Sequence, residues 1–225
     1  MVERLRRHGL SIFFGVIFLA ALFGQSVAGL VAFNEEQSAH AAPASSWCDF
    51  LRSPSFVVDV AENWQSEFLQ FFLFILATIW LVQVGSPESK KLGNQGVGTD
   101  QEQLVGAHSR PDSPRWARAG GWRTVLYSNS LLLAMGAIFL GSWLVQSMAG
   151  LLVYNNEQSQ HAQPVVDWTE YISSAEFWNR TLQNWQSEFL AVGCMVAFSI
   201  FLRQRGSAES KPVGAPHSEA SVGNE

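Results

Sequence analysis

The feature that most constrains this chain is a run of 24 residues without a charge, residues 10–33 (LSIFFGVIFLAALFGQSVAGLVAF). A second long apolar run covers residues 130–154, and shorter ones cover residues 68–84 and 189–202. An α-helix rises about 1.5 Å per residue and a bilayer core is about 30 Å thick, so each long run can cross a membrane. The shorter runs reach that length only if their helices begin in the polar segment before them. The pattern predicts an all-α integral membrane protein with four transmembrane helices.

The positions of Lys and Arg predict the orientation of these helices. Three lie before the first apolar run, six lie in residues 85–123, and three follow residue 202. The other two loops, residues 34–66 and 155–187, contain one each. Because Lys and Arg are enriched on the cytoplasmic side of membrane proteins, both termini and the middle segment are predicted to be cytoplasmic.

The sequence also repeats itself at an offset of 121 residues. The seven-residue sequence NWQSEFL occurs at residues 63–69 and again at 184–190. Residues 25–41 and 146–162 share 11 of 17 positions, far above the chance level of about one in twenty. A repeated unit with two spans inserts both copies in the same direction, so we expect two parallel hairpins.

The repeat divides the chain into four predicted segments and places the helices within them. The composition of the segment between the hairpins, rich in Gly, Ser, Gln, Pro and Asp, predicts disorder, as does that of the tail. The segments are a first hairpin at residues 1–92, a disordered linker at 93–121, a second hairpin at 122–213 and a disordered tail at 214–225. The predicted helices cover about residues 10–33, 55–84, 129–154 and 175–203.

Two strings of the first copy, NEEQSAH at residues 34–40 and NWQSEFLQ at residues 63–70, are distinctive. With their second copies they resemble an uncharacterised family of bacterial integral membrane proteins, a domain of unknown function, present here as a tandem repeat. The resemblance implies a bacterial membrane protein and implies no activity. Together with the four predicted spans and the Lys and Arg distribution, it predicts a multi-pass protein of the bacterial inner membrane. The second copy departs from the first by carrying Asn156 in place of Glu35.

Polar side chains recur on one face of each predicted helix. At 100° per residue, one Gln, one Glu and one His share a face of the first helix of each hairpin. In the second helix of each hairpin, an Asn and a Glu lie four residues apart on another polar face. These candidate site residues are Gln25, Glu36, His40, Asn63, Glu67, Gln146, Glu157, His161, Asn184 and Glu188. Four tryptophans are predicted to anchor the helices and outer loops at the membrane surface: Trp47, Trp64, Trp168 and Trp185.

Two interpretations of the polar residues remain open. In the first, they form hydrogen bonds between packed helices and set the helix register, as polar groups in membrane helices do. In the second, Glu67 and Glu188 join the Glu–His pairs in one symmetric site that binds a divalent metal or relays protons. The spacing matches no specific metal motif, so the metal remains unknown.

The absences in the sequence limit the function classes. There is no phosphate-binding loop, no dinucleotide fingerprint and no hydrolase or metalloprotease motif. The net charge of −5 argues against a nucleic-acid partner, and no cofactor is predicted. The leading hypothesis is a non-enzymatic structural, sensory or accessory membrane protein, with the lipid bilayer as its partner. The alternatives are a small transporter or channel, which with so few helices would need a homodimer, and a membrane metal-binding protein or metalloenzyme.

Overall fold

The computed structural model describes residues 6–220, and this part of the chain contains helices and loops but no strand. The all-α prediction is therefore confirmed. In chain order the helices are α1 (Gly9–Ala39), α2 (Trp47–Phe50), α3 (Pro54–Trp80), a short 3₁₀ helix (Gly106–His108), α4 (Arg115–Ala119), α5 (Gly121–Ser128), α6 (Ser130–Gln160), α7 (Trp168–Ile172) and α8 (Ala175–Phe201).

The four long helices form two pairs whose bounds differ by 121 residues. Helices α1 and α6 are each 31 residues long, and helices α3 and α8 are each 27 residues long. Each begins and ends at positions that correspond in the two halves of the sequence. Matching local sequences therefore produce matching helices.

The C-terminal ends of α1 and α6 show how the local sequence sets these bounds. Ala41 and Ala162 have positive φ angles of 55° and 52°, which stop the helix. The next amide N–H donates back to a helix carbonyl, from Ala42 to Gln37 at 2.9 Å and from Gln163 to Gln158 at 2.8 Å. This arrangement is a Schellman motif, which satisfies carbonyls that the helix leaves open.

The second helix of each pair begins at a serine cap. Ser53 Oγ accepts the amide N–H of Phe56 at 3.3 Å, and Ser174 Oγ accepts that of Phe177 at 3.2 Å. Such caps satisfy amide groups that have no partner within the helix. The N-cap residue of α8 is Ser174.

The structure differs from the predicted helix bounds in two ways. Helices α1 and α6 continue about two turns beyond the apolar runs, because polar residues remain helical until the Schellman motif. Helix α3 ends at Trp80 instead of residue 84, and α8 ends at Phe201. Beyond these ends, Ser89 and Ser210 accept the amides of Gln83 and Gln204 and hold the chain in a turn.

Within the described residues 6–220, two of the four predicted spans, α1 and α6, are long and apolar enough to cross a membrane. Helices α3 and α8 have sufficient length but begin with polar segments that lower their hydropathy. Their apolar portions cover only residues 68–80 and 189–201. The prediction of four membrane spans is thus supported for two helices.

The chain divides into two compact units. The first contains residues 6–61 and 145–171, and the second contains residues 62–144 and 172–220. Residues 93–121 form turns, the 3₁₀ helix and α4, and Thr124 Oγ1 of α5 donates to the carbonyl of Trp116 in α4 at 2.7 Å. The division into two hairpins, a linker and a tail stays a prediction, and residues 1–5 and 221–225 lie outside the described residues.

Candidate functional site

In the first unit, a tryptophan holds each outer loop against the long helix that precedes it. Trp47 Nε1 donates to Ser26 Oγ at 3.1 Å, and Trp168 Nε1 donates to Ser147 Oγ at 3.1 Å. Both serines are buried, whereas both tryptophans remain partly exposed. Each indole thus has one bonded edge and one accessible face, which suits an interfacial residue.

An asparagine fixes the return of each outer loop. The side chain of Asn34 donates to the carbonyl of Ser45 at 3.1 Å and accepts the amide of Ser45 at 2.7 Å. Asn155 makes the same two bonds with Val166, both at 2.9 Å. Each Asn side-chain amide both donates to and accepts from the backbone of one loop residue. It therefore makes the two hydrogen bonds that a backbone partner would make, and these bonds fix the loop geometry.

A glycine on each long helix makes room for an aromatic ring of the short helix that follows. A Cβ at Gly29 would lie 2.9 Å from Phe50 Cζ, and one at Gly150 would collide with the hydroxyl of Tyr171. Each ring packs at a tilt against a second aromatic ring, with centroids 5.4 Å apart for Phe33–Phe50 and 5.5 Å apart for Tyr154–Tyr171. The absence of a side chain at Gly29 and Gly150 therefore lets a ring of the outer loop pack against each long helix.

The predicted Gln, Glu and His residues of the first and third long helices all lie in the first unit. The Gln and Glu residues are within α1 and α6, and the His residues are in the turns directly after these helices. Gln146 is only 2% exposed, whereas its counterpart Gln25 is half-buried. The Glu and His residues are exposed near the ends of the helices: Glu36, His40, Glu157 and His161. The ring of His40 contacts the carbonyl of Glu36 through Nδ1 at 3.0 Å. Within residues 6–220, no group of three or more His, Cys, Asp or Glu residues is arranged to hold a metal ion.

In the second unit, an ion pair joins α3 to α8. The guanidinium of Arg180 donates to both oxygens of Glu62, each at 2.9 Å. The side chains are 30% and 10% exposed respectively, so the pair is partly desolvated. A bidentate Arg–carboxylate pair defines orientation as well as attraction. It fixes the register of the two helices at their polar segments.

The two copies of NWQSEFL also contact each other in this unit. Trp185 Nε1 of the second copy donates to Gln65 Oε1 of the first at 2.7 Å. Gln65 is 0% exposed, whereas its counterpart Gln186 is exposed. The two identical NWQSEFL segments therefore occupy different environments. Sequence reasoning missed Gln65, although its place in the repeated heptad could have drawn attention to it.

The remaining predicted residues of α3 and α8 are placed as follows. Asn63, Trp64 and Glu67 are exposed, while Asn184 and Glu188 are half-buried. Asn184 Nδ2 donates to the carbonyl of Arg180 at 3.0 Å. Glu67 and Glu188 are near enough for their charges to repel each other. Whether these two glutamates belong to one site stays a prediction.

The second unit also contains a pocket between α3 and α8, which we call the paired pocket. Its volume is about 310 Å³. It is lined by four pairs of residues that are 121 positions apart: Gln70 and Ala191, Phe71 and Val192, Phe74 and Met195, and Glu88 and Glu209. Because corresponding residues of α3 and α8 and of the turns after them line this pocket, it lies on the local axis that relates these two helices. Its walls are mostly apolar, and its two carboxyl groups come from the turns after the helices. Glu88 and Glu209 are not among the candidate residues predicted from helical spacing, although their motif, GSPESK or GSAESK, occurs in both copies.

The family profile described as Domain of unknown function (DUF6766) matches residues 1–222. The chain belongs to this family. The description carries no activity, so membership agrees with the resemblance to an uncharacterised family and adds no substrate. No curated protein and no solved structure matches the chain.

Proposed function

We propose that this chain is a non-enzymatic, multi-pass protein of the bacterial inner membrane with a structural or accessory role. The observation that carries the proposal is the uncovered apolar surface of α1 and α6. In the most apolar 18-residue stretches of α1 and α6, only 6% and 11% of the stretch is buried within the protein. Exposing apolar surface to water costs about 25 cal/mol per Å². Lipid removes that cost, whereas a core helix of a water-soluble protein would be covered by other helices.

The proposal includes α3 and α8 as the second spans of two hairpins. Their apolar portions of 13 residues reach about 20 Å, short of the roughly 30 Å bilayer core. The shortfall places part of the polar segment inside the membrane. Pairing of Glu62 with Arg180 and of Gln65 with Trp185 supports this placement, because polar groups in lipid need partners.

The proposal also treats the two hairpins as copies of one unit in the same orientation. The matched helix bounds support this, as do the matched Trp–Ser and Asn brackets of the outer loops. With both hairpins inserted alike, the loops containing α2 and α7 lie outside the cytoplasm. The termini and residues 85–123, where most Lys and Arg occur, lie in the cytoplasm.

Cysteine labelling tests this topology with residues the chain already has. Cys48 is exposed in the first outer loop and Cys194 lies in α8. In spheroplasts of a Cys194→Ser strain, a membrane-impermeant maleimide is expected to label Cys48. In a strain that lacks both native cysteines, Asp112→Cys is expected to react only after lysis. Reaction of Asp112→Cys in intact spheroplasts, or extraction of the protein by alkaline carbonate, would contradict the proposal.

The non-enzymatic role is tested by comparing two kinds of variant in a deletion strain. A structural or accessory protein is expected to complement when the charges at Glu67 and Glu188 are removed by substitution with Gln. It is expected to fail when Arg180→Gln loosens the contact between α3 and α8. Catalytic turnover by purified protein that disappears in the double Glu→Gln variant would overturn the role.

A small transporter or channel is the second candidate, and the paired pocket favours it. Glu67 and Glu188 approach each other in α3 and α8, and Glu88 and Glu209 line the pocket beyond the helix ends. Acidic pairs separated by an apolar pocket are suited to cation passage, and a homodimer would enlarge so small a pathway. Proteoliposomes that show no proton or cation flux, or flux unchanged by Gln at positions 67 and 188, would remove this candidate.

A further inference from the structure

The chain forms the same turn after α3 and after α8. Gly85 and Gly206 have φ angles of 89° and 84°, in the left-handed region that glycine favours. Three residues later in each turn, a glutamate amide donates to a serine hydroxyl, Glu88 to Ser86 and Glu209 to Ser207, both at 3.2 Å. The turns therefore present the two glutamates in the same way.

The turn after α3 is also tied to α8 by a buried contact. The hydroxyl groups of Ser86 and Ser199 are 3.3 Å apart and both residues are buried. Glu88 and Glu209 then both line the paired pocket, and the Glu209 carboxyl is near enough to help raise the pKa of Glu88. Two ionised carboxylates cannot hydrogen-bond to each other, because neither has a donor. A hydrogen bond between these two carboxyl groups would therefore require one shared proton.

The lysine of each motif is engaged elsewhere. Lys90 Nζ donates to the carbonyl of Gly96. Lys211 Nζ donates to the carbonyls of residues 216, 217 and 219, at 3.0–3.2 Å. Burial lowers the pKa of Lys211, with a further contribution from the charge of Arg203. Each lysine thus stabilises its own turn.

Other charged groups lie around the two carboxyls. Lys90, Lys91 and Glu102 line a neighbouring pocket together with Glu88. Arg203 lines another with Glu209, and its guanidinium donates to backbone carbonyls of the α8 end and of Ala215. Burial, the hydrogen bond from Glu209 and the charge of Glu209, in that order, raise the pKa of Glu88 above its ordinary value of 4.5. The nearby cations do not reverse this effect.

We propose that Glu88 and Glu209 form a proton-dependent latch that joins the turns after α3 and α8 and closes the end of the paired pocket. With the shared proton, the carboxyls bond to each other. Without it, two partly desolvated negative charges repel and the turns separate. Since the carboxyl binds its proton more tightly in the closed state, closure is stabilised at low pH. That stabilisation is lost as the pH rises from about 4.5 through the raised pKa of Glu88. The latch does not depend on whether the pocket conducts ions.

Distance measurement between spin labels tests the latch in the full chain in lipid nanodiscs. Labels at Pro87→Cys and Ala208→Cys, in a background with Ser at positions 48 and 194, report the separation of the turns. We expect a short, narrow distance distribution at low pH and a longer, broader one at high pH. With Gln at both 88 and 209, the amides bond without a proton, so the pH transition is expected to disappear.

The controls decide whether the glutamate pair causes the transition. Glu102→Gln removes a nearby exposed acid and is expected to leave the transition unchanged. Circular dichroism confirms that each variant keeps its helix content. An infrared band of a protonated carboxyl group that titrates with the distance change is expected in the parent and absent from the double variant. A parent distance independent of pH, or a transition that survives Gln at both positions, would overturn the latch.

Discussion

Removal of the Arg180 charge tests the contact between α3 and α8 most directly. Arg180→Gln leaves Glu62 with a side chain only 10% exposed and without its bidentate partner. Exposed ion pairs contribute about 0.2–1 kcal/mol, and breaking a buried pair costs about 3–5 kcal/mol. Because the Arg180 side chain is 30% exposed, we expect an intermediate loss of about 2 kcal/mol in the free energy of unfolding. That loss corresponds to a change of about 30-fold in the unfolding equilibrium constant.

A double-mutant cycle separates this pair from general disruption of the helix. The assay is reversible unfolding by SDS in mixed micelles, followed by circular dichroism, for Arg180→Gln, Glu62→Gln and the combined variant. The combined variant is expected to be more stable than the sum of the single losses predicts, because it leaves no unpaired charge. Arg52→Gln, at the other outer-loop arginine, is the matched control and should cost less than about 0.5 kcal/mol because Arg52 is exposed. A coupling energy below about 0.5 kcal/mol, or an equal loss at Arg52, would refute the reasoning.

Three further predictions concern the outer loops. Gly150→Ala is expected to destabilise the protein by about 1–3 kcal/mol in the same SDS assay, because the added methyl group collides with the Tyr171 hydroxyl. Ala162→Gly should stabilise it by about 1 kcal/mol, because glycine adopts the positive φ of 52° without steric cost. Hydrogen bonds from the Thr169 hydroxyl and from nearby amides lower the pKa of Asp167 below its ordinary value of 3.8. Asp167 thus stabilises the loop above pH 3.8, and this effect is lost as the pH falls through the lowered pKa. Hydrogen-exchange protection factors near α7, which correct for the intrinsic pH dependence of exchange, should therefore fall on acidification, and less so in Asp167→Ser.

Each of these predictions has a control elsewhere in the chain. Gly15→Ala adds a methyl group where nothing lies within 4 Å, so it should not destabilise α1. Ala41→Gly should match Ala162→Gly, since the two Schellman motifs are alike. The first outer loop has Ser46 in place of Asp167, so its hydrogen exchange should not show the same dependence on acid. Destabilisation at Gly15, unequal effects at the two alanines, or equal acid dependence in both loops would count against the explanations.

Much of the fold could be predicted because it depends on contacts between residues close in sequence. The helices follow the apolar runs, and the Trp47–Ser26 bond spans only 21 residues, as does its counterpart. The Asn34–Ser45 bracket spans 11 residues. Where a prediction missed, the cause was also local. Serine-closed turns ended α3 and α8 earlier than hydropathy indicated, and polar residues before the Schellman motifs extended α1 and α6.

The candidate site could be predicted only in part, because its contacts join residues far apart in the chain. Helical spacing selected Glu67 and Glu188 as candidate residues, and the charge of Glu67 acts on Glu188. It could not show that Trp185 would reach Gln65 or that Glu88 would meet Glu209. Those contacts depend on how α3 and α8 pack, and helical periodicity gives the face of a helix without naming its partner.

By itself, the sequence determined that corresponding residues would build matching helices and matching outer-loop contacts, because the same local sequence has the same local energetics. Only the tertiary structure decided which of two identical residues became buried. Gln65 is 0% exposed and Gln186 is exposed, although both belong to NWQSEFL. The physical reason is that the surroundings of the two copies differ: Arg180 corresponds to Asp59, and Glu62 corresponds to Gln183. Packing one copy against the other therefore joins unlike neighbours, and the symmetry of the sequence need not persist in the burial of its side chains.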